Sequence, residues 1–288
     1  MSILVDYSGV AIAAFYSQRQ ETVDEGMLRH LILNTIRGYN VKYRAKYGKM
    51  ILACDGGSWR KNVFAEYKAA RKTNREASAI DWDAVWSIIN LVREEIKANL
   101  PYKVVQVSGA EADDVIATLV ESTQEFGNNE PVMIVSADKD FIQLQKYKNV
   151  SQYSPMTKKL VTDSNPRKYL IEHILRGCSG DGVPNVLSDD DTFVDAKKRQ
   201  TPLKAKVIEN WIANYSTLDT EMDHATYRNF IRNRRCIDLS YIPDEVAAEI
   251  MAEYNAQDDT SNSRVFNYLI AKRCKMLVGC ASDFFPPK

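Results

Sequence analysis

Histidine is nearly missing: His30, His173 and His224 are the only three in 288 residues, and they lie far apart. That scarcity argues against a histidine-built metal site. Cysteine is sparse too. Cys54, Cys178, Cys236, Cys274 and Cys280 form an odd set with no Cys-x-x-Cys pair, which points to a reducing, cytoplasmic setting and away from zinc or a disulfide framework. No apolar run reaches the ~20 residues of a membrane span. The opening Met1-Ser2-Ile3-Leu4-Val5-Asp6 lacks the basic start and the length of a signal segment. Neither charge is in excess, with 38 basic and 38 acidic side chains, so a uniformly basic nucleic-acid coat is excluded. Internal repeats and low-complexity linkers are absent.

What is present supports an α/β fold. Hydrophobic residues make up 45% of the chain, enough for a large core in one large or two modest domains. Short apolar runs at 3–5, 49–54, 104–107 and 132–135 read as buried strands. Helical patterns lie between them, at 24–46 and 81–99 and again after 111. The alternation predicts a mostly parallel central sheet flanked by helices. Residues 150–153 and 159–161 suggest a terminal hairpin. Beyond about residue 164 the pattern turns helical, at 203–214, 223–235, 243–255 and 263–272. The expected division is 1–170 for an α/β domain and 171–288 for a smaller helical one.

The chemistry is concentrated in Ser108-Gly109-Ala110-Glu111-Ala112-Asp113-Asp114, where a strand passes into a helix. Ser108 and Glu111 also fit a capping box, and acids suit a helix N-terminus. For Glu111 alone that bland reading has about even odds. It does not explain why Asp6, Asp55, Asp138 and Asp140 also follow strands. Any single aspartate after a strand is usually just a turn residue. Acids at four separate strand ends are much harder to obtain that way. In a parallel sheet those ends meet on one rim, where open α/β folds place ligands. Clustered carboxylates raise one another's pKa unless cations hold them. Oxygen ligands without His or Cys select a hard ion, Mg²⁺ or Mn²⁺. Two such ions suit phosphodiester hydrolysis.

Residues 59–76 carry Arg60, Lys61, Lys68, Arg71, Lys72 and Arg75, with Trp59, Phe64 and Tyr67 between them. Cations interleaved with aromatics suit a phosphate backbone and stacked bases. The bland alternative, a solvated surface helix, has about even odds on this segment alone.

Taken together these pieces resemble the structure-specific 5′-nucleases, that is, flap endonucleases and polymerase 5′-exonuclease domains. Within that family they are most similar to the RNase H enzymes of T-even bacteriophages. The matching residues are Leu4-Val5-Asp6, Cys54-Asp55, Tyr67-Lys68-Ala69-Ala70-Arg71, Gly109 to Asp114, Ser136-Ala137-Asp138-Lys139-Asp140-Phe141 and Gly177 to Pro184. The Glu-Ala-Asp-Asp and Asp-x-Asp-Phe pieces together are the specific part.

The resemblance implies a Mg²⁺-dependent 5′→3′ exonuclease or flap endonuclease with a PIN-like core and two metal ions. Such an enzyme removes RNA primers and adjacent DNA during lagging-strand replication, and has ribonuclease H-type activity on hybrids. Asp6, Asp55, Glu111, Asp113, Asp138 and Asp140 would bind the ions, with Asp114 and Asp181 as outer or second-metal ligands. Lys68 and Arg71 would steady the scissile phosphate from an arch at 59–76. Arg60, Lys61, Lys72 and Arg75 would add cationic contacts, and Tyr67 would stack on a base. Gly180 and Gly182 would belong to a helix-turn-helix gripping the duplex, with Lys204 and Lys206 beside it.

Implied partners are DNA and RNA–DNA hybrid with 5′ ends or flaps, and a single-stranded-DNA-binding protein. The tail Phe284-Phe285 resembles a sliding-clamp peptide, against the alternative that it folds back on the body. A cytoplasmic monomer is expected, in the host cell if the chain is of phage origin. One departure stands out: the family's Gly-Asp-x-x-Asp-Asn has Cys178 in the first aspartate's place and Gly182 in the asparagine's, although Gly180-Asp181 is an alternative alignment. Two other readings remain open: a PIN-type ribonuclease on structured RNA, and a non-catalytic nucleic-acid binder with a degenerate metal site.

Overall fold

The computed structural model describes residues 1–17, 24–71, 75, 78–257 and 264–286. In chain order the elements are β1 (Ser2–Asp6), α1 (Tyr7–Ser17), α2 (Glu25–Tyr47), β2 (Lys49–Cys54), α3 (Arg60–Val63), α4 (Trp82–Asn99), β3 (Lys103–Gln106), α5 (Ala112–Gln124), β4 (Val132–Val135), β5 (Val150–Ser154) and β6 (Lys159–Val161). They continue with α6 (Pro166–Arg176), α7 (Ala205–Ala213), α8 (Leu218–Glu221), α9 (His224–Ile237), α10 (Asp244–Ala256), α11 (Val265–Ala271) and α12 (Lys275–Val278). Among the described residues no helix is long and apolar enough to cross a membrane.

The six strands form one sheet in the order β3-β2-β1-β4-β5-β6. All neighbours are parallel except β6, which turns back against β5 as a hairpin. β1, β2 and β4 are almost wholly apolar and buried, as strands covered on both faces must be. The chain builds outward from β1 through β2 to β3 and then crosses to place β4 on the other side of β1. That reversal is a topological switch point.

Helix α1 departs from the expectation, which began the first helix near residue 24. Val10, Ala11, Ala14 and Phe15 are buried along it. An alanine-rich helix without a polar face offers little amphipathic contrast to read. Asp81 caps α4, accepting from the Ala84 amide at 3.0 Å.

Packing divides the chain into two units. The first comprises Met1–Gly57, Ala79–Thr162 and Asp244–Lys288; the second comprises Ser58–Ser78 and Asp163–Pro243. A single break at 170 therefore does not describe the packing. The 59–76 segment packs with the helical half, and the last helices pack with the sheet.

In the first unit the C-terminal stretch completes the sheet. Just past α10, the Gln257 amide accepts from the Val104 N–H and donates to the Val104 carbonyl, both at 2.9 Å. It thereby stands in for a neighbouring strand along edge strand β3. Phe284 is fully buried in the core with Leu28, Ile32 and Leu269. Arg37 pairs with Asp283 at 2.5 Å, and Arg44 donates to the Phe285 carbonyl at 2.7 Å. The tail thus folds back onto α2, which corrects the clamp-peptide expectation: Phe284 is not free to enter another protein's pocket.

A buried ionic cluster joins three of this unit's helices. Glu95 accepts from Arg29 at 2.7 Å and from Tyr268 at 2.8 Å, and pairs with Lys272 at 2.5 Å. Burial alone pushes the Glu95 carboxyl up, but hydrogen bonds from Arg29, Lys272 and Tyr268 outweigh it and hold the carboxyl below its ordinary value. A depressed carboxylate stabilises the fold above the unfolded-chain value, and that contribution is lost as pH falls through the folded one. Glu95→Ala, which strands buried Arg29, is expected to cost about 3–5 kcal/mol in urea unfolding at pH 7. The difference from wild type should shrink steadily below about pH 4.5; a pH-independent difference would contradict the assignment.

The second unit is built around α9. Asn233 donates to the carbonyls of Ile174 and Pro184, both at 2.8 Å, and Asn229 to those of Val186 and Ser188. Arg232, buried, donates to the Pro184 carbonyl at 2.9 Å. The acidic run 189–191 is neutralised locally: Asp190 by Arg228 and Arg232, its neighbours by Lys198. α6 is followed by a single 3-10 turn, Ser179–Asp181, and then a long stretch up to α7. This is not the 3–4-residue connection of a compact helix-turn-helix.

Candidate functional site

The sheet delivers acids to one rim. β1 ends at Asp6, β2 is followed by Asp55, β3 leads to Glu111, and β4 leads to Asp138 and Asp140. These four strands are adjacent and parallel, so their carboxyl ends lie side by side. Register makes the alignment close: Asp6 is level with Ala53, and Val5 with Val135.

Loop geometry fixes each side chain. Gly56 packs so tightly against the β3–α5 loop that a Cβ there would meet the Val107 carbonyl oxygen at 1.9 Å. Only glycine allows that approach. Asp55 then caps the neighbouring helix, accepting from the Ala112 amide at 3.0 Å. Glu111 is the N-cap of α5, in a capping box whose other member is Asp114. Ser108, the expected cap, is not the N-cap. Asp114 is fully buried and accepts from the Glu111 amide at 2.9 Å; its observed task is to hold Glu111. Asp113, one position earlier, stays partly exposed.

On the other side of β1, Ser136 links two acids. Its hydroxyl donates to Asp6 Oδ2 at 3.0 Å and accepts from the Asp138 amide at 3.1 Å. Asp138 Oδ1 in turn accepts from the Asp140 amide at 2.9 Å. Gln152, buried on β5, donates to the carbonyls of Ser136 and Asp138. Sequence reasoning missed Gly9, Ser136 and Gln152. Gln152 was beyond its reach, since only the β4–β5 pairing brings it to this loop.

Asp6 sits at the centre. Burial pushes its carboxyl up from 3.8 to about 6, with Asp55 and Asp138 adding repulsion, while hydrogen bonds from the Gly9 amide and Ser136 pull it partly back. The turn duties of Asp55 and Asp138 each occupy one carboxylate oxygen. An all-oxygen donor set with mutually repelling carboxylates fits a hard divalent cation. Among the described residues, no three His, Cys, Asp or Glu side chains are gathered closely enough to enclose one. Cys54, next in line, is no nucleophile: burial pushes its thiol far up.

The first half, residues 1–171, matches the family described as "5'-3' exonuclease, N-terminal resolvase-like domain", and residues 164–284 match "T4 RNase H, C terminal". The chain is 32% identical to the Ribonuclease H of Enterobacteria phage T4 over 98% of its own length and 95% of that protein's. It belongs to the 5′–3′ exonuclease family. Flap endonuclease Xni of Shewanella piezotolerans is 33% identical over 45% of the chain and 49% of that enzyme. The fold is shared with the bacteriophage T5 D15 protein, co-crystallised with metal ions: TM-score 0.60, 17% identity, 97% of this chain and 99% of that one covered. Like its family, the protein is a nuclease, a hydrolase of phosphodiester bonds.

In this family member the basic segment departs from expectation. Arg60 is 2% exposed and donates to the Cys236 carbonyl at 2.8 Å, so it packs in the helical core rather than meeting phosphate. Tyr67 is 3% exposed, and its hydroxyl donates to Asp181 Oδ2 at 3.3 Å; its ring is not available to stack on a base. Gly182 is buried in a left-handed conformation (φ 71°), and its amide donates to the Ser179 carbonyl. That amide is not offered to a phosphate, whereas Gly180 is exposed. Lys61, Lys204 and Lys206 are exposed. Arg75 is described without a resolved role, and Lys72 lies outside the described residues. Asp181, expected as a ligand, is engaged by Lys68 and Arg71. Cys178 pairs its backbone with Val183 in a short bridge, which gives it a structural task.

The raised Asp6 carboxyl has a thermodynamic sign. Because its folded value exceeds the unfolded one, stability falls as pH rises between the two, and the full penalty applies above the folded value. With chelator present, Asp6→Asn is expected to be more stable than wild type at pH 7.5 by roughly 1–3 kcal/mol. At pH 4 the two should unfold alike. Equal stability at both pH values in thermal unfolding would remove the proposed repulsion.

Proposed function

We propose that this nuclease is a Mg²⁺-dependent 5′→3′ exonuclease and flap endonuclease acting on RNA or DNA 5′ ends paired to DNA, removing primers on the lagging strand. The observation that carries the reading is the rim itself: four adjacent parallel strands each supply a carboxylate, with Asp6 pressed between Asp55 and Asp138. Asp6, Asp55, Glu111, Asp113, Asp138 and Asp140 would hold the divalent ions. When bound, such ions supply a water of lowered pKa and offset charge on the phosphate, which suits a site without histidine.

The protein's own groups do the rest. Ser136 and the Gly9 amide keep the Asp6 oxygens turned to the rim. Asp114 and the Ala112 amide fix Glu111 and Asp55. Lys68 and Arg71, on the second unit, bind backbone phosphate of the substrate, joined by exposed Lys61, Lys204 and Lys206 in sequence-independent contacts. The T5 D15 flap endonuclease, which shares the fold at 17% identity, has been crystallised as a pseudo-enzyme-product complex with DNA and metal ions, and this supports a DNA substrate.

Cleavage of 5′-labelled flap and nicked RNA–DNA substrates, with and without Mg²⁺, tests the reading. Asp138→Asn and Asp113→Asn are each expected to lower the cleavage rate by at least about 10³-fold. Duplex affinity in a binding titration should remain near the wild-type value. Full activity in either variant, or activity independent of divalent ions, would overturn it. Cleavage of structured RNA but not of 5′-ended duplexes would favour a PIN-type ribonuclease instead.

A further inference from the structure

The 66–71 segment and the 179–182 turn are bound to each other through one residue. Asp181 Oδ1 accepts from Arg71 Nη2 at 2.5 Å and lies 3.7 Å from Lys68 Nζ. Its Oδ2 accepts from the Tyr67 hydroxyl at 3.3 Å, and its main-chain carbonyl accepts from the Lys68 amide at 2.7 Å. Arg71 Nε donates to the adjacent Gly180 carbonyl at 3.2 Å. One carboxylate thus contacts the side chains of Tyr67, Lys68 and Arg71.

We propose that Asp181 is a positioning residue, holding Lys68 and Arg71 as a preassembled cationic edge for a substrate phosphate, rather than a metal ligand. The proposal rests on the phosphodiester substrate argued above.

Three observations support it. First, one carboxylate lies between two cations and is less exposed than either. Asp181 is 15% exposed and Arg71 47%, so the carboxylate lies inside and the guanidinium outside. Second, Arg71 spends Nε and Nη2 on the turn. Its Nη1 has no protein partner among the described residues and is fixed in direction by the other two bonds. A planar fork pre-oriented in this way loses little freedom when it meets a phosphate. Third, Lys68 has φ 58°, a left-handed backbone that a lysine rarely adopts. The Asp181 carbonyl holds its amide, and Gly182 lets the turn approach, since a Cβ there would lie 3.1 Å from the Glu66 carbonyl oxygen. Strain of this kind persists only where the surroundings enforce it. Both Asp181 oxygens are thus engaged by these three side chains.

The experiment compares Asp181→Asn, Asp181→Ala, Arg71→Gln and the Asp181→Ala/Arg71→Gln double variant. Cleavage is measured against substrate and Mg²⁺ concentration, Mg²⁺ binding to the free protein by calorimetry, and hydrogen exchange at amides 67–71. Loss of the charge-assisted contacts in Asp181→Ala is expected to raise KM about 10- to 100-fold. Mg²⁺ affinity and the half-activating Mg²⁺ concentration should stay within about twofold of wild type, since no ligand is lost. Exchange at Lys68 should accelerate, and the double variant should be no worse than the poorer single. A rise in the Mg²⁺ requirement with KM unchanged in Asp181→Asn would make Asp181 a ligand and overturn the proposal. Additive single effects would do the same. Wild-type protein that cleaves neither substrate refutes the nuclease substrate instead, and Lys68 exchange unchanged in Asp181→Ala then still rejects the positioning role.

Discussion

Burial of a carboxylate beside other carboxylates, at the end of a parallel sheet, is the constraint on which the rim of the sheet-bearing unit depends. Four strands that run the same way, side by side, must end on the same edge, and each ends in or leads to an acid. Burial and the neighbouring carboxylates together lift Asp6 to about 6. The fold tolerates this because two hydrogen-bond donors meet the Asp6 carboxylate, the Gly9 amide and the Ser136 hydroxyl, while the Ala112 amide holds neighbouring Asp55. Those donors offset part of the cost without neutralising the charge. A lysine at the rim would stabilise the apo fold better, yet it would occupy the place of the cation that such a donor set attracts. Stability is given up here for chemistry.

The same unit recovers stability far from the rim. Gln257 covers the open edge of β3, Phe284 seals the core beneath α2, and Glu95 gathers Arg29, Tyr268 and Lys272. All three depend on residues after 243, so the C-terminal helices are part of the sheet's own structure. The family boundaries at 164–171 and the packing units therefore differ for a physical reason: the chain leaves the sheet for the helical unit and returns.

Much of this was readable from residues alone, and the failures share a cause. Strands 49–54 and 132–135 and the long helices at 24–46 and 81–99 were legible because their apolar spacing is regular over many residues. α1 was not, because alanines and valines around the whole circumference carry no phase. The acids at strand ends were legible as residues, but strand order, which decides whether they meet, arises from packing. Local pattern also could not separate Asp113 from Asp114. Adjacent on a helix, they point about 100° apart; one stays partly exposed and the other is buried as half of a capping box. Arg60 and Tyr67 failed differently. Cations interleaved with aromatics look alike whether they face phosphate or line a core, and the segment here is split between core and surface. Arg60, Phe64 and Tyr67 are buried, while Lys61 and Arg71 are exposed.

A chain with zero net charge can still bind a polyanion if its charges are sorted. In the helical unit the acids at 189–191 are matched by Lys198, Arg228 and Arg232, and this internal pairing removes them from competition with a ligand. Asp181 is matched twice over, by Lys68 and Arg71. In the sheet unit the rim acids press on one another. Zero net charge is therefore compatible with the proposed reading, in which Lys68 and Arg71 would meet phosphate and the rim acids would hold cations. Hydrolysis of a phosphodiester calls for both, because the substrate's negative charge must be held and also offset at the bond that breaks.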